Sequence, residues 1–408
     1  MDLTDLDLFA DGFPHPLFDE LRGGPVVWHE PTEHTPGGEG FWVVTRYADV
    51  LAAASDPAVF SSAGGGGRAG GGTLIEDLPA GFAAGVLLNM MDAPRHTRFR
   101  RLLAPCLSPR ALHALRDDLQ ARADGIVRAA VAKGECDLLV DVAAELPLQA
   151  VAHLLGVPQE DRHRLLAWAN TTLDHADRDL GESTERTRAA AAEMSAYGTA
   201  LLARKRADPG DDLLSVAVHG TVDGGPLTEL EQQMLFHLLI AAGSETTRNT
   251  FALGVQALID HPSAWHALKA DPSLLPSAIE EILRWTSTTP YNRRTVTRPT
   301  TLNGAALSPG DKITLWWASA NRDPSVFPAP HTFDITRTPN PHLAFGRGPH
   351  FCLGAPLARL ELHALLTSFL THITALTPTA PPTFTRTNKH TGLRHMPVLL
   401  TPTGPGRA

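Results

Sequence analysis

The feature that most constrains the fold is one long helical pattern in the second half of the chain. It opens on the capping box Thr228-Glu-Leu-Glu231 and can run without a break to Asp260, before His261-Pro262. A helix of about 33 residues would be about 50 Å long at 1.5 Å per residue. Its middle, residues 234–242, is apolar nearly all round, which places it in the interior. The sequence therefore predicts a buried helix long enough to cross the whole molecule.

Further helical patterns surround this helix, and a smaller β region accompanies them. From about 92 to 285, apolar residues recur three and four positions apart, and the breaks fall at Pro, Gly or Asp-Pro. A second capping box, Ser277-Ala-Ile-Glu280, opens the next helix but one, and a final helix spans about 355–370. The β-rich portion comprises about 25–60, 290–320 and 385–402. We expect a mainly α protein with a smaller β region, forming a single domain over 1–408.

Composition and charge exclude several classes of function. The chain has 35 Lys+Arg against 44 Asp+Glu, a net charge of −9, so we expect no nucleic-acid partner. Its 3 Cys are too few for a disulfide framework, and Cys106 and Cys136 lack any flanking pattern and are interpreted as structural. The acidic N-terminus is unlike a signal peptide, and the apolar run Leu238 to Ala242 is far shorter than the ~20 residues that span a bilayer. We expect a cytoplasmic protein without a membrane anchor.

The strongest chemical signal surrounds the third cysteine, Cys352. The run F-x-x-G-x-x-x-C-x-G extends from Phe345 to Gly354, and an amphipathic helix follows. Gly348 belongs to a tight turn before the cysteine, and Gly354 leaves room behind it. Backbone N–H groups and the positive end of the helix dipole favour thiolate over thiol at such a junction. A thiolate held there can act as a nucleophile or as a metal ligand.

This run resembles the haem-binding loop of the cytochrome P-450 monooxygenases, and three further motifs in the same order extend the resemblance over nearly the whole chain. The resemblance implies the fold of that family, with haem b between the long central helix and the Cys loop. It also implies that the Cys352 thiolate is the proximal ligand of the haem iron, and that Phe345, Gly348 and Gly354 belong to the cofactor-binding loop.

The second motif is Glu281-Ile-Leu-Arg284, which matches the family's E-x-x-R. By spacing alone this pair would be an ion pair on a solvated helix face. Arg337, upstream of the Cys loop, matches the Arg that joins the pair in the family. The resemblance implies a buried structural triad that supports the loop beneath the haem and takes no part in catalysis.

The third motif, A-G-S-E-T-T at residues 242–247, stands in the middle of the long helix. An acid and two hydroxyls are unusual inside an apolar helix, and a solvated stripe or a helix-packing spot is the alternative. In the family this pattern lies over the distal face of the haem. The resemblance implies that Ala242 and Gly243 let dioxygen approach, with a local widening of the helix. It also implies that Thr246 holds dioxygen while Glu245 and ordered water relay protons.

The fourth motif is a set of cations that match the family's partners of the haem propionates. His96 and Arg100 are four residues apart and share a helix face, which by itself would be a solvated basic face. His350 stands just before the cysteine. Arg294 follows the E-x-x-R helix, and Arg293 competes with it for the same role. Arg suits a carboxylate because its fork donates two parallel hydrogen bonds.

The resemblance also implies partners. The chain has no flavin fingerprint, so we expect a separate ferredoxin and ferredoxin reductase to supply electrons. The ferredoxin would dock on the Cys side, with Arg98, Arg101 and Arg347 as hypothetical contacts. The substrate pocket is expected to be lined by Leu87, Leu88, Leu238, Leu239, Ala242, Thr289, Tyr291, Asn292 and Leu393. These mostly apolar residues suit a lipophilic ligand with some oxygen functions. The Gly-rich segment 64–72 is either a flexible lid or a surface loop.

The expected activity is oxidation, most simply hydroxylation, of a lipophilic small molecule with O₂ and two electrons. The run Glu245 to Asn249 and the pair Arg293-Arg294 resemble members that oxidise terpenoids, steroids and alkyl chains. The Ala-, Gly-, Pro-, Arg- and Thr-rich composition instead resembles proteins of high-GC actinobacteria, where relatives tailor secondary metabolites, and we favour that role. Oxidative ring closure or coupling is an alternative. A haem sensor without turnover is another, but it has no use for Glu245 and Thr246.

Overall fold

The computed structural model describes residues 1–173, 180 and 182–404. The chain is 52% helical and 14% strand, which confirms the mainly α class. The α-helices of the described residues are α1 His15–Arg22, α2 Tyr47–Ser55, α3 Arg95–Leu103, α4 Pro109–Lys133, α5 Glu145–Leu155, α6 Arg162–Leu173, α7 Glu185–Ala207, α8 Leu213–His219, α9 Glu229–Asp260, α10 Pro262–Ala270, α11 Leu275–Thr286, α12 Trp317–Ala320 and α13 Ala355–His372. The strands are β1 Val27–His29, β2 Phe41–Val44, β3 Phe60–Ser61, β4 Gly70–Gly71, β5 Leu78–Pro79, β6 Glu135–Asp137, β7 Thr221–Val222, β8 Gly225–Pro226, β9 Tyr291–Val296, β10 Thr300–Leu302, β11 Ala305–Leu307, β12 Lys312–Trp316, β13 Ile373–Pro378, β14 Thr383–Phe384, β15 Leu393–His395 and β16 Pro397–Pro402.

Helix α9 is the predicted long helix and runs through the interior. The predicted capping box is confirmed, because the Glu231 N–H donates to Thr228 Oγ1 at 3.2 Å and the Thr228 N–H donates to Glu231 Oε2 at 2.8 Å. Helices α5, α6, α7, α11 and α13 pack against it. Within the described part of the chain no helix, α9 included, combines the length and the apolar character that a membrane crossing requires.

The second predicted capping box is wrong. Helix α11 begins at Leu275, two residues before Ser277, with a proline at one of its first two positions, where proline suits a helix start. The Ser277 hydroxyl lies inside the helix and donates to the Leu274 carbonyl at 2.9 Å. The Glu280 carboxylate turns outward and accepts hydrogen bonds from Arg359.

The main sheet is five-stranded, in the order β1-β2-β12-β9-β3. Strand β12 runs antiparallel to β9 and parallel to β2. In the register of β9 with β12, Arg294 lies opposite Ile313 and Arg293 lies opposite Thr314. Because successive side chains of a strand point to opposite faces, the two arginines must face different sides of the sheet.

The Gly-rich segment is packed against this sheet. Strand β4 at its end pairs with β5. A Cβ on Gly66 would lie 2.2 Å from the Gly310 backbone nitrogen, so only glycine permits this approach. Between the glycines, Arg68 donates to Glu39 at 2.5 Å and also pairs with Asp77. Of the two readings of this segment, the structure therefore favours an anchored loop over a free lid.

Candidate active site

Residues of several motifs line a cavity of about 250 Å³ between α9 and the start of α13. Helix α9 contributes Ala242, Gly243 and Thr246 to its wall, and the loop before α13 contributes Phe345 and Cys352. The fold thus brings Ala242, Gly243 and Thr246 of the third motif to the same cavity as the cysteine.

Cys352 is exposed, and the space that it faces is this cavity. Its N–H donates to the Phe345 carbonyl at 2.9 Å, and a Cβ on Gly354 would lie only 3.9 Å from its sulfur. Burial raises the pKa of the Cys352 thiol, against the lowering effects of the Gly354 N–H, Arg100 and the Ala355 N–H. The local donors act in the predicted direction, and burial opposes them. A cation bound at the sulfur would reverse the balance.

Gly348 shapes the loop without contacting the cavity. Its φ is +73°, and a Cβ there would lie 2.4 Å from the Ala54 carbonyl oxygen of α2. The turn therefore requires glycine. Beyond the turn, the Arg359 guanidinium lies 4.6 Å from the centroid of the Phe345 ring, which fixes the aromatic side chain against α13.

Four basic side chains gather at one side of the cavity: His96, Arg100, Arg294 and His350. The rings of His96 and His350 are 4.1 Å apart. Arg294 is 4% exposed and donates to the Arg293 carbonyl at 2.8 Å. The structure therefore brings together all four basic residues that the sequence singles out.

The electrostatics of this cluster fit an anionic group. Burial lowers the pKa of Arg294 to about 10, and Asp92 opposes this only in part. Burial, together with Arg294, His96 and Arg100, lowers the pKa of His350 to about 2. The buried His96 Nδ1 has no hydrogen-bond partner among the described residues. Carboxylates would satisfy these donors, so the two propionates of haem fit the cluster. The haem iron fits the sulfur of Cys352, which lines the cavity.

Arg293 lies on the other face of the sheet. Its Nη1 is 2.8 Å from Asp77 and donates to the Leu74 carbonyl at 3.3 Å. Of the two competing arginines, Arg294 is thus the one that faces the cavity, as the strand alternation requires.

Thr246 and Glu245 face different cavities. The Thr246 hydroxyl donates to the Ala242 carbonyl at 2.9 Å and lines the Cys352 cavity. Glu245 lines a separate cavity of about 290 Å³, with Oε1 3.5 Å from Arg248. Consecutive residues of an α-helix point roughly 100° apart, and here that step directs Glu245 and Thr246 into different cavities. The expectation that they stand together over the cysteine is corrected in this respect.

Gly243 serves the packing of helices. A Cβ at this position would lie 2.4 Å from Val151 Cγ2 of α5. Helix α9 runs as an uninterrupted α-helix past this point, so the local widening expected at Gly243 is not present. Its small size remains useful, because Gly243 also lines the cavity.

The predicted triad is assembled and buried. The Glu281 carboxylate accepts hydrogen bonds from Arg284 at 2.7 and 2.8 Å and from Arg337 at 3.1 Å. Glu281 and Arg284 are both 0% exposed. Arg284 also donates to the Asn321 carbonyl at 2.9 Å, and the Asn321 side chain accepts from the Leu343 N–H at 2.7 Å. Because Leu343 precedes the Cys loop by two residues, the triad supports that loop.

A second cavity of about 390 Å³ adjoins the first, and Ala242 and Thr246 line both. Six of the nine predicted pocket residues line it: Leu87, Leu238, Ala242, Thr289, Tyr291 and Asn292. The other three do not. Leu88 packs in a core cluster with Met91 and Phe99, because it sits in a tight turn that directs it inward.

Leu239 and Leu393 also belong elsewhere. Leu239 packs against the core between α9 and the helices beside it, and Leu393 lines the cavity of Glu245. The hairpin residue Leu393 reaches the opposite face of α9, since its N–H donates to Asn249 Oδ1 at 3.2 Å. The position of Leu393 in the sequence does not indicate which face of α9 its side chain contacts.

Several polar residues of the site are not singled out by the sequence, among them Glu361 and Asn89. Glu361 of α13 is 1% exposed and lines the Cys352 cavity, and burial raises its pKa to about 8 against a hydrogen bond from Thr247. The available signal was an acid on the apolar face of the helix, four residues after Leu357. Asn89 lines both cavities with a buried Oδ1 that has no partner among the described residues. No motif surrounds it.

A cysteine beneath a long helix, with a buried cluster of cations beside it, defines the class of haem-thiolate proteins. The chain matches the family model of cytochrome P-450 over residues 136–401. It is 48% identical to cytochrome P-450 126 of Mycobacterium tuberculosis, with 98% of this chain and 97% of that protein covered. The chain belongs to the cytochrome P-450 family, whose members bind haem b, and it is a monooxygenase of that family.

Further relatives have named activities. The steroid C26-monooxygenase of Mycobacterium tuberculosis is 35% identical, with 97% of this chain and 92% of that protein covered. The methyl-branched lipid omega-hydroxylase of the same organism is 35% identical, with 98% and 94% covered. Among solved structures, a Mycobacterium marinum cytochrome P-450 in complex with pseudoionone is similar at a TM-score of 0.89 and 33% identity, with 98% of each chain covered. The cytochrome P-450 OxyD, involved in the biosynthesis of vancomycin-type antibiotics, is similar at 0.85 and 29%, with 98% and 100% covered.

Proposed function

We propose that this protein hydroxylates a steroid or branched-chain lipid at a carbon near one end of the molecule, using O₂ and two electrons. The observation that carries the proposal is the second cavity, which shares the lining residues Asn89, Ala242, Thr246, Thr289 and Asn292 with the cysteine cavity. A long apolar molecule held there would present its end to the cysteine side. The steroid and branched-lipid activities of the two relatives at 35% identity support this substrate class.

We assign the cofactor contacts to the residues that surround the cysteine cavity. Cys352 would ligate the iron through its sulfur, and His96, Arg100, Arg294 and His350 would hold the carboxylates of haem b. When bound, the haem supplies the activation of dioxygen and the insertion of one oxygen atom into a C–H bond. Phe345, Gly354, Ala242 and Gly243 would line the cofactor site, because all four border the cavity.

We assign proton handling to Thr246 and Glu245. The Thr246 hydroxyl already donates to a backbone carbonyl and can accept a second hydrogen bond from the cavity side. Glu245 Oε2 is buried and has no hydrogen-bond partner among the described residues, and it lies 3.8 Å from His390 Nε2. To deliver a proton to Thr246, the carboxylate must turn away from Arg248 or act through ordered water, since it now faces the other cavity.

Electrons would come from a separate ferredoxin and its reductase. Arg101 and Arg347 are exposed, whereas Arg98 forms an ion pair with Asp223. We propose that these three arginines attract the acidic partner. Unchanged reduction rates and unchanged salt dependence after reversing all three charges would refute this contact.

The experiment is turnover of the haem-loaded protein with ferredoxin, reductase and labelled dioxygen, on a side-chain steroid and on a methyl-branched fatty acid. The expected product gains one labelled oxygen atom near the chain end. Thr246→Ala should lower product per electron consumed, while Thr246→Ser, which keeps the hydroxyl, should stay close to the parent. Equal yields per electron in the parent and in Thr246→Ala would remove Thr246 from the mechanism, and no product from either lipid would refute the substrate class.

Tailoring of a secondary metabolite is the second candidate. The similarity to OxyD over 98% of this chain favours it. Oxidative ring closure or coupling belongs to the same candidate, and product mass distinguishes the reactions. Insertion adds one oxygen atom, whereas coupling removes two hydrogens and leaves the label in water.

A further inference from the structure

We infer that His237 of α9 selects the substrate, donating a hydrogen bond from its Nδ1–H to a neutral carbonyl oxygen at the end of the molecule remote from Cys352. This inference rests on the proposed function and narrows its substrate class to lipids with such a carbonyl. The observations are the hydrogen bonds around the ring, the exposure of the ring to the second cavity, and the distance along α9.

The hydrogen bonds to Nε2 fix the tautomer. The Gln233 amide nitrogen donates to the Ser195 carbonyl at 3.0 Å, and a backbone carbonyl can only accept, so the orientation of this amide is settled. The same nitrogen lies 3.0 Å from His237 Nε2, which must accept its second hydrogen. The Ser195 hydroxyl lies 3.3 Å from the same Nε2. The proton of the neutral ring therefore resides on Nδ1.

The packing around Gln233 holds it in place. A Cβ on Gly198 of α7 would lie 2.6 Å from the Gln233 amide nitrogen and 2.7 Å from Phe236. Only glycine leaves room there for the amide between the two helices. The donor to Nε2 is thus positioned by helix packing and not by solvent.

The His237 ring lines the second cavity, so a ligand held there lies beside the ring. His237 lines that cavity among apolar side chains of the same wall, including Met194, Met234, Leu238 and Ala241. Among the described residues no hydrogen-bond partner of Nδ1 is found. An N–H donor in an apolar wall costs free energy when it has no acceptor. A ligand oxygen that accepts from it would therefore contribute the free energy of a full hydrogen bond to binding.

The partner is a neutral oxygen. Burial lowers the pKa of His237 and keeps the ring uncharged at neutral pH. His237 itself offers a carboxylate no charge to balance its own, and Lys389 of the same cavity already forms an ion pair with Glu76. His237 is five residues from Ala242 and nine from Thr246, which both line the cysteine cavity, so the donor lies roughly 8 to 13 Å along the helix from that cavity. A ketone at one end of a rigid lipid would therefore leave the other end at the site of oxidation.

The test is an optical titration of the haem-loaded protein with two matched ligands, the ketone androstanone and its parent hydrocarbon androstane. We expect the ketone to shift the Soret band at roughly tenfold lower concentration than the hydrocarbon, the value of one hydrogen bond. His237→Leu should abolish this difference by weakening the ketone alone. His237→Gln, which restores a donor, should recover part of it.

Met234→Leu is the matched control, because it alters the same wall without touching a hydrogen bond, and it should change both affinities by the same factor. An unchanged ketone-to-hydrocarbon ratio in His237→Leu would overturn the inference and leave the proposed function intact. A Soret shift with neither ligand would count against both. If His237→Leu does not fold, the ring nitrogen resonances of the labelled parent decide: a proton on Nε2, or no change at Nδ1 on adding the ketone, overturns the inference.

Discussion

Glu361 gives the sharpest prediction about stability. It is buried in α13, its Oε1 has no hydrogen-bond partner among the described residues, and burial raises its pKa from 4.5 to about 8. Between these two pH values the native protein keeps a proton that the unfolded chain releases. Stability therefore falls as pH rises through this window and is highest below it.

The magnitude follows from the width of the window. Each pH unit inside it costs 1.36 kcal/mol, so stability should drop by roughly 3 kcal/mol between about pH 5.5 and 7.5. Glu361 borders a cavity that water can enter, and water there reduces the cost of charging the carboxyl. We therefore expect the drop in stability to be at least about half of this value. Glu361→Gln has the same size and no charge, so it should lose this slope and exceed the parent in stability at the upper end.

The assay is urea unfolding of the haem-loaded parent and of Glu361→Gln at several pH values across the window, followed by tryptophan fluorescence. Glu20→Gln serves as the control, because Glu20 is exposed on α1, and its slope should match that of the parent. Equal slopes in the parent and in Glu361→Gln would refute the assignment of a neutral, buried carboxyl.

Three further changes test the framework of the site by urea unfolding. Glu281→Gln leaves the guanidinium groups of Arg284 and Arg337 without a charge partner, so it should cost about 3–5 kcal/mol, and a cost below about 1 kcal/mol would contradict the buried triad. Gly348→Ala combines a positive φ with a Cβ 2.4 Å from a carbonyl oxygen of α2, so it should cost at least about 1–3 kcal/mol, and a neutral effect would contradict this packing. Burial raises the pKa of Glu280, but hydrogen bonds from Arg359 and His342 outweigh burial and lower the pKa from 4.5 to about 2. The stabilisation that these hydrogen bonds give is therefore present above pH 4.5 and is lost as pH falls toward 2. Glu280→Gln should flatten the acid limb, and an unchanged limb would count against the pairing.

The sequence predicted the elements whose signals are local. The capping box of α9 depends on two residues three apart, and its apolar middle requires burial whatever surrounds it. The alternation along β9 likewise decides between Arg293 and Arg294 once the strand is known. The family motifs then brought together residues that no local rule connects, such as Glu281 and Arg337.

The failures share a different cause, which is that they depend on what packs against an element. Glu245 follows the predicted motif, but its direction is set by the helical angle and by Arg248. Leu393 meets the far face of α9 through the hairpin register. Ser277 fits a capping box by its spacing from Glu280, but the helix already begins at Leu275, with the proline before Ser277 in its first turn.

The central claim is that Cys352 carries the haem as its thiolate ligand, and the reduced carbon monoxide complex tests it most directly. The parent should bind haem and show the red-shifted Soret band of thiolate ligation. Cys352→Ser should lose that band, whereas Cys106→Ser, at a half-buried cysteine away from the cavity, should keep it. A parent without haem, or a red-shifted band that survives in Cys352→Ser, would contradict the claim.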